Sequence, residues 1–130
     1  GGGLMFYLFY SNMEKKRSFK LRDIITSICT LYKKEGEMAV YLDNGWCVYS
    51  SEKEITLETI CYIDAYPDFD DDDNEIYYDY IINNNMKLIY RDEIMQDVII
   101  ACLKQKNNAN IEEIMRALFY YEEYDNFLVL

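Results

Sequence analysis

The sequence predicts an α+β fold: one domain, a small, largely antiparallel sheet packed with about four helices. Three observations carry that expectation. Two stretches near the end of the chain repeat apolar residues every three to four positions, and a third does so near its start. Between them lie short β-branched and aromatic segments separated by turn residues. At 130 residues, 51% of them apolar, the chain holds material for a single core, with no internal repeat or linker to divide it.

The elements follow in order. Gly1-Gly2-Gly3 precedes an apolar run, Leu4 to Tyr10, that lacks the basic flank and small-residue cleavage site of a signal peptide. Phe9-Tyr10-Ser11-Asn12-Met13 resembles the scar of a protease-cleavable purification tag, with Tyr10 where glutamine is usual. Residues 1–12 are therefore read as a tag-derived, non-native segment, and 13–130 as the domain. Phe19, Leu21, Ile24, Ile25, Ile28, Leu31 and Tyr32 form one stripe of a helix over 18–35, with Ser18 as N-cap and Gly36 as its stop. Met38–Leu42 and Trp46–Tyr49 flank Asp43-Asn44-Gly45, which reads as a β-hairpin whose turn needs positive φ. Leu57–Ile63 is the next strand, rich in β-branched residues.

Residues 66–75, with the only proline and a run of acids, cannot pack in a core and read as an exposed loop. Ile76, Tyr77, Tyr80 and Ile81 suggest a short helix, its N-terminal dipole complemented by the preceding aspartates and its end marked by Asn83-Asn84-Asn85. Met86–Tyr90 is a short strand. Asp92 caps a helix over 93–106 that buries Ile94, Met95, Val98, Ile99, Cys102 and Leu103. Asn110 and Glu113 form a capping box for a helix over 110–124, whose apolar face is Ile111, Ile114, Met115, Leu118, Phe119 and Tyr121. Ile99, Cys102, Ile114 and Leu118 are expected to meet where these two helices pack, and Phe127–Leu130 is a last strand or a packed tail.

Charge and composition then narrow the function. The formal net charge is -11, with 24 acids against 13 bases and a pI near 4.3, which opposes general binding of nucleic acid. The charge is uneven: residues 1–34 balance at +5 and the rest at -16. The bases Lys15, Lys16, Arg17, Lys20, Arg22, Lys33 and Lys34 read as the solvated face of the first helix. With no histidine, the chain cannot supply Ser-His, Cys-His or His-metal chemistry. It has neither a Gly-rich phosphate loop nor a run of 18 apolar residues, so no nucleotide cradle and no membrane span are expected. Cys29, Cys47, Cys61 and Cys102 contain no C-x-x-C pair and sit in apolar stretches, as reduced thiols of a cytoplasmic protein do. No catalytic residue, metal or cofactor is assigned.

Two groups remain as candidate partner-binding residues. Asp68, Asp70, Asp71, Asp72, Asp73 and Glu75 would steer a basic partner electrostatically. The run also partly imitates a calcium loop, but Asp73 stands where glycine is needed and Asp79 where a longer glutamate is usual. Tyr120 and Tyr124 belong to an aromatic cluster on opposite sides of one helix, so some rings reach the surface, where tyrosine suits an interface. Trp46, beside the Asn-Gly turn, reads as a core anchor.

The stretch from Glu54 onward resembles a bacterial family found among immunity proteins of contact-dependent growth inhibition and polymorphic toxin systems. Leu57-Glu58-Thr59, Cys61, Asp64, the acidic loop with its short helix, Asp97-Val98, Gln105, Glu113, Ala117-Leu118, Tyr120-Tyr121, Asp125 and Phe127 carry the resemblance, with Ile55 where the family pattern has tryptophan. It implies a cytoplasmic protein that neutralises a cognate toxin C-terminal domain, often a basic nuclease, by stoichiometric occlusion of its active site. An acidic mimic of nucleic acid that inhibits a host DNA- or RNA-binding protein is the alternative expectation.

Overall fold

The computed structural model describes residues 18–130. The tag-derived reading of residues 1–12, and Lys15, Lys16 and Arg17, fall outside the described residues. In chain order the elements are β1 (Phe19–Lys20), α1 (Leu21–Glu35), α2 (Glu37–Leu42), β2 (Cys47–Ser50), β3 (Ile60–Asp64), β4 (Asp68–Phe69), β5 (Glu75–Ile76), α3 (Asp79–Asn83), β6 (Lys87–Arg91), α4 (Asp92–Gln105) and α5 (Ile111–Tyr124). The fold is α+β, with five helices among the described residues rather than about four. A four-stranded sheet runs in the order β1-β3-β2-β6, and β4 pairs with β5 in a separate ribbon; every pairing is antiparallel.

Side-chain alternation along β2 and β3 sets up three layers. Tyr49 opposes Tyr62, and Cys47 opposes Asp64, on one face; Val48, Ile63 and, from β6, Tyr90 lie on the other. Tyr77 meets Tyr49 edge-on with ring centroids 6.2 Å apart, and Tyr80 lies 4.6 Å from Tyr62. These contacts fold the 66–82 segment over the first face. The helices α1, α4 and α5 pack on one another and cover the second. All four residues of β2 are consequently buried, as a strand enclosed on both sides must be. Ile99, Cys102, Ile114 and Leu118 are all buried where α4 meets α5, and Trp46 is a core anchor.

Several elements differ from the sequence-based expectation. Ser18 does not cap α1, because Phe19 and Lys20 pair with β3 first; the Leu21 and Arg22 amides donate instead to the carbonyls of Thr59 and Leu57, each at 2.9 Å. Gly36 does end α1, at a φ of 93°. The expected hairpin before Trp46 does not form: 37–42 is helical, and β2 pairs with β3 and β6. Tertiary contacts decide this. The Gln96 side-chain amide donates to the carbonyls of Val40 (2.9 Å) and Asp43 (2.8 Å), satisfying the end of α2, while the Tyr41 hydroxyl reaches Asp97 at 2.6 Å. The Asn-Gly pair still makes a turn, with Gly45 at a φ of 88°.

Strand β3 begins at Ile60, because Thr56, Leu57, Glu58 and Thr59 form a turn locked by the fully buried Thr59 hydroxyl. Ile76 belongs to β5, and α3 starts only at Asp79, so the Asp70–Asp73 run does not sit at its N-terminus. Asp92 does not cap α4; it is the first helical residue, buried, with Arg91 at the cap. Ile94, Ile111 and Tyr121 are only half-buried and Phe119 is exposed, whereas Gln96, Ile100 and Ala117 are buried. The Asn110–Glu113 capping box is present. Phe127–Leu130 is a tail, tied by Gln105, which donates to the Leu128 carbonyl at 2.9 Å and accepts from the Leu130 amide at 3.0 Å. No helix among the described residues is long and apolar enough to cross a membrane.

Candidate functional site

The acidic run folds into the β4–β5 ribbon rather than a plain loop. Asp68 pairs with Ile76 and Phe69 with Glu75, leaving Asp70–Asn74 as the turn. Asp70 builds that turn. Its Oδ1 accepts from the amides of Asp72 and Asn74, each at 2.9 Å, and its Oδ2 from the Asn74 side chain at 3.2 Å. The Asn74 amide in particular holds the Asp70 carboxyl below its ordinary range. Asp73 takes the left-handed conformation at a φ of 62°, at the position a tight calcium loop gives to glycine. Among the described residues, no three carboxylate or thiol groups gather closely enough to hold a metal ion.

The ribbon thus brings together Asp68, Asp70, Asp71, Asp72, Asp73 and Glu75, all exposed. Among the described residues only Glu75 has a basic partner, Arg91, at 3.6 Å. The Arg91 guanidinium also lies 5.6 Å from the centre of the Tyr66 ring, so one cation of β6 stitches the ribbon to the sheet. By contrast Lys20 and Arg22 are both engaged by Glu58, and Lys104 by Glu37. The basic face of α1 is therefore partly neutralised in place, whereas the ribbon holds a run of neighbouring carboxylates with little compensation.

Tyr120 and Tyr124 pack against each other along α5 with their rings tilted by 42° and centroids 4.6 Å apart, Tyr124 being 58% exposed. No hydrogen bond, ion pair or ring contact joins them to the ribbon, so the two predicted groups are separate features. The thiols offer little chemistry: burial pushes Cys47 and Cys61 up to about 12 and Cys102 up to about 11, and all four cysteines are free.

Sequence reasoning missed a cleft of about 390 Å³ between β6 and the end of α5. It is lined by Leu88, Ile89, Tyr90, Arg91 and Ile94 on one side and by Tyr121, Glu122 and Asp125 on the other. Its walls lie some thirty positions apart in the chain, and no local pattern links them. One signal was available: the last turn of α5 carries acids and no base, against the usual preference at a helix C-terminus.

A family model, that of a domain of unknown function (DUF7716), matches residues 19–130 and so spans every element from β1 onward. No curated protein and no solved structure matches the chain.

Proposed function

We propose that this chain, which belongs to the DUF7716 family, is a non-catalytic binding module for a basic protein partner, acting as an immunity protein against a cognate toxin domain. The single observation that carries the reading is the β4–β5 ribbon: six exposed carboxylates, four of them in a turn organised by Asp70, and only one of the six paired with a base among the described residues. Mutual repulsion among these groups is unfavourable in the free protein, and a cationic surface would relieve it. Where the toxin is a nuclease, the carboxylates would take the place of substrate phosphates in its basic cleft, so one charge pattern would give both fast association and occlusion. The free thiols are in keeping with a reducing cytoplasm. The immunity role itself rests on the family resemblance of residues 54–130.

Co-expression with the product of the adjacent gene tests this: a stoichiometric complex and rescue of growth are expected. Replacing Asp71, Asp72 and Asp73 together with asparagine, which leaves the Asp70 turn in place, should slow association about tenfold at low salt and flatten its salt dependence. Absence of a complex with any neighbouring gene product overturns the reading.

A further inference from the structure

We infer that the cleft between β6 and the end of α5 is a second recognition site, which takes an extended, lysine- or arginine-bearing segment of the partner against the edge of the sheet. The inference rests on the reading of the protein as a binder of a basic partner, and it assigns to that partner a contact the acidic ribbon does not make.

Three features define the occupant. The first is an open strand edge. Strand β6 is terminal in the sheet order among the described residues, and on its outer side its backbone groups have no strand to pair with. Leu88, Ile89, Tyr90 and Arg91 all line the cleft although consecutive side chains point to opposite faces, so the cleft runs along the edge rather than over one face. An extended segment is the shape that fits such an edge.

The second is charge. Glu122 and Asp125 line the cleft, Glu123 lies between them in sequence, and none of the three has an ion-pair partner among the described residues. They stand at the negative end of the α5 dipole, where the helix's last carbonyls favour a cation and its last turn holds no basic residue. The one cation lining the cleft, Arg91, is paired with Glu75. Asp125 is held in the left-handed conformation, at a φ of 52°, with its amide bonded to the Tyr121 carbonyl at 2.8 Å.

The third is a poorly satisfied polar group. Tyr90 is 3% exposed, and its enclosed hydroxyl makes no hydrogen bond of good geometry; the polar group it faces is the Glu122 carboxylate. Burial, then the hydroxyl's interaction with the Glu122 carboxylate as acceptor and as charge, push the phenol up, so it is a neutral hydroxyl facing a carboxylate. A buried hydroxyl held only by a poorly aligned contact is costly, and a cationic donor entering beside Tyr90 and Glu122 would give the hydroxyl oxygen a donor and the carboxylate a counter-charge. Leu88, Ile89, Ile94 and Tyr121 supply apolar surface for the stem of that side chain and for a neighbouring residue of the segment.

The probe is a capped synthetic peptide of alternating lysine and valine, titrated into the isotope-labelled full chain and followed by amide chemical shifts. Shifts are expected at Leu88–Arg91 and at Glu122–Asp125. Glu122→Gln with Asp125→Asn should weaken binding about tenfold, and Tyr90→Phe should weaken it by a smaller factor while the free variant keeps its fold, with shift changes confined to the neighbours of residue 90. The triple Asp71, Asp72, Asp73→Asn variant should still show the cleft shifts. Shifts confined to residues 68–76, binding unchanged by the Glu122 and Asp125 replacements, or no binding at all would each overturn the cleft. So would cleft shifts that depend on protein concentration without peptide, which would mark a second copy as the occupant. The fate of the binding-module reading is decided separately, by complex formation with the neighbouring gene product.

Discussion

The Gly45 amide donates to the Asp92 carboxylate at 2.6 Å, and that bond ties the loop ahead of β2 to the first turn of α4. The same carboxylate accepts from the amides of Glu93 (2.8 Å) and Trp46 (3.4 Å) and from the Tyr66 hydroxyl. Asp92 is 2% exposed, so these four donors replace its water. An asparagine would turn an NH2 group toward N–H donors. Asp92→Asn should therefore cost about 1.5–3 kcal/mol, the range for hydrogen bonds to a charged group. Urea unfolding followed by circular dichroism measures it, and a loss under about 0.5 kcal/mol would show that the network is dispensable.

Asp43, at the end of α2, gives the protein a pH dependence of opposite sense to ordinary acid unfolding. Its Oδ2 is enclosed without a partner, and burial pushes the carboxyl up to about 7. In the unfolded chain it titrates near its ordinary value of about 3.9. Between these values the folded protein holds the proton more tightly, so the contribution of Asp43 to stability falls as pH rises through that window. Asp43→Asn removes the titration. The variant should gain on the parent between pH 5 and pH 8 in denaturant midpoints. An equal difference at the two pH values would mean that the carboxyl is solvated.

These two residues show where sequence reasoning stopped. Helices α4 and α5 were legible because their signals are local: apolar spacing for the buried stripe, and Asn110 with Glu113 for the start of α5. The α2 segment was not. Met38 to Leu42 holds three good helix formers, Met, Ala and Leu, but the Asp43-Asn44-Gly45 turn signal makes it read as a hairpin arm. The end of the helix is satisfied by Gln96, more than fifty positions on, whose amide donates to the Val40 and Asp43 carbonyls. Asp92 looked like a helix cap because an acid before an apolar run usually is one; its real partners, Gly45 and Tyr66, come from other elements. The exposure of the acidic run was legible from composition alone. Its ribbon geometry was not, since it depends on one carboxylate bonding to backbone within the turn.

The packing of α4 on α5 gives a plainer test. Leu118 is fully buried beside Ile99, Cys102 and Ile114, in a contact between two helices that carry much of the core. Leu118→Ala should destabilise by about 2–5 kcal/mol, combining lost burial with the cavity left behind. A change below about 0.5 kcal/mol in denaturant-derived free energy would mean that the site collapses around the smaller residue.

Asp70 and Asp71 carry the same charge and neighbour each other, yet only Asp70 organises the turn. Its three hydrogen bonds to Asp72 and Asn74 are local and lie within an exposed ribbon, so they shape the turn without supporting the core. Asp70→Ala should leave the unfolding midpoint nearly unchanged while amide exchange at Asp72 and Asn74 accelerates about tenfold, the loss of one ordinary hydrogen bond at each site. Asp71→Ala should leave those amides as they are. Because the Asp70 carboxyl is held low by the Asn74 amide, its bonds persist in mild acid and are lost only as pH falls through that lowered value. Both variants remove one negative charge, so long-range steering of a basic partner weakens equally. Complex lifetime then separates shape from charge. A shorter lifetime for Asp70→Ala than for Asp71→Ala means that the partner recognises the preformed turn. Equal lifetimes would reduce the ribbon to a carrier of charge.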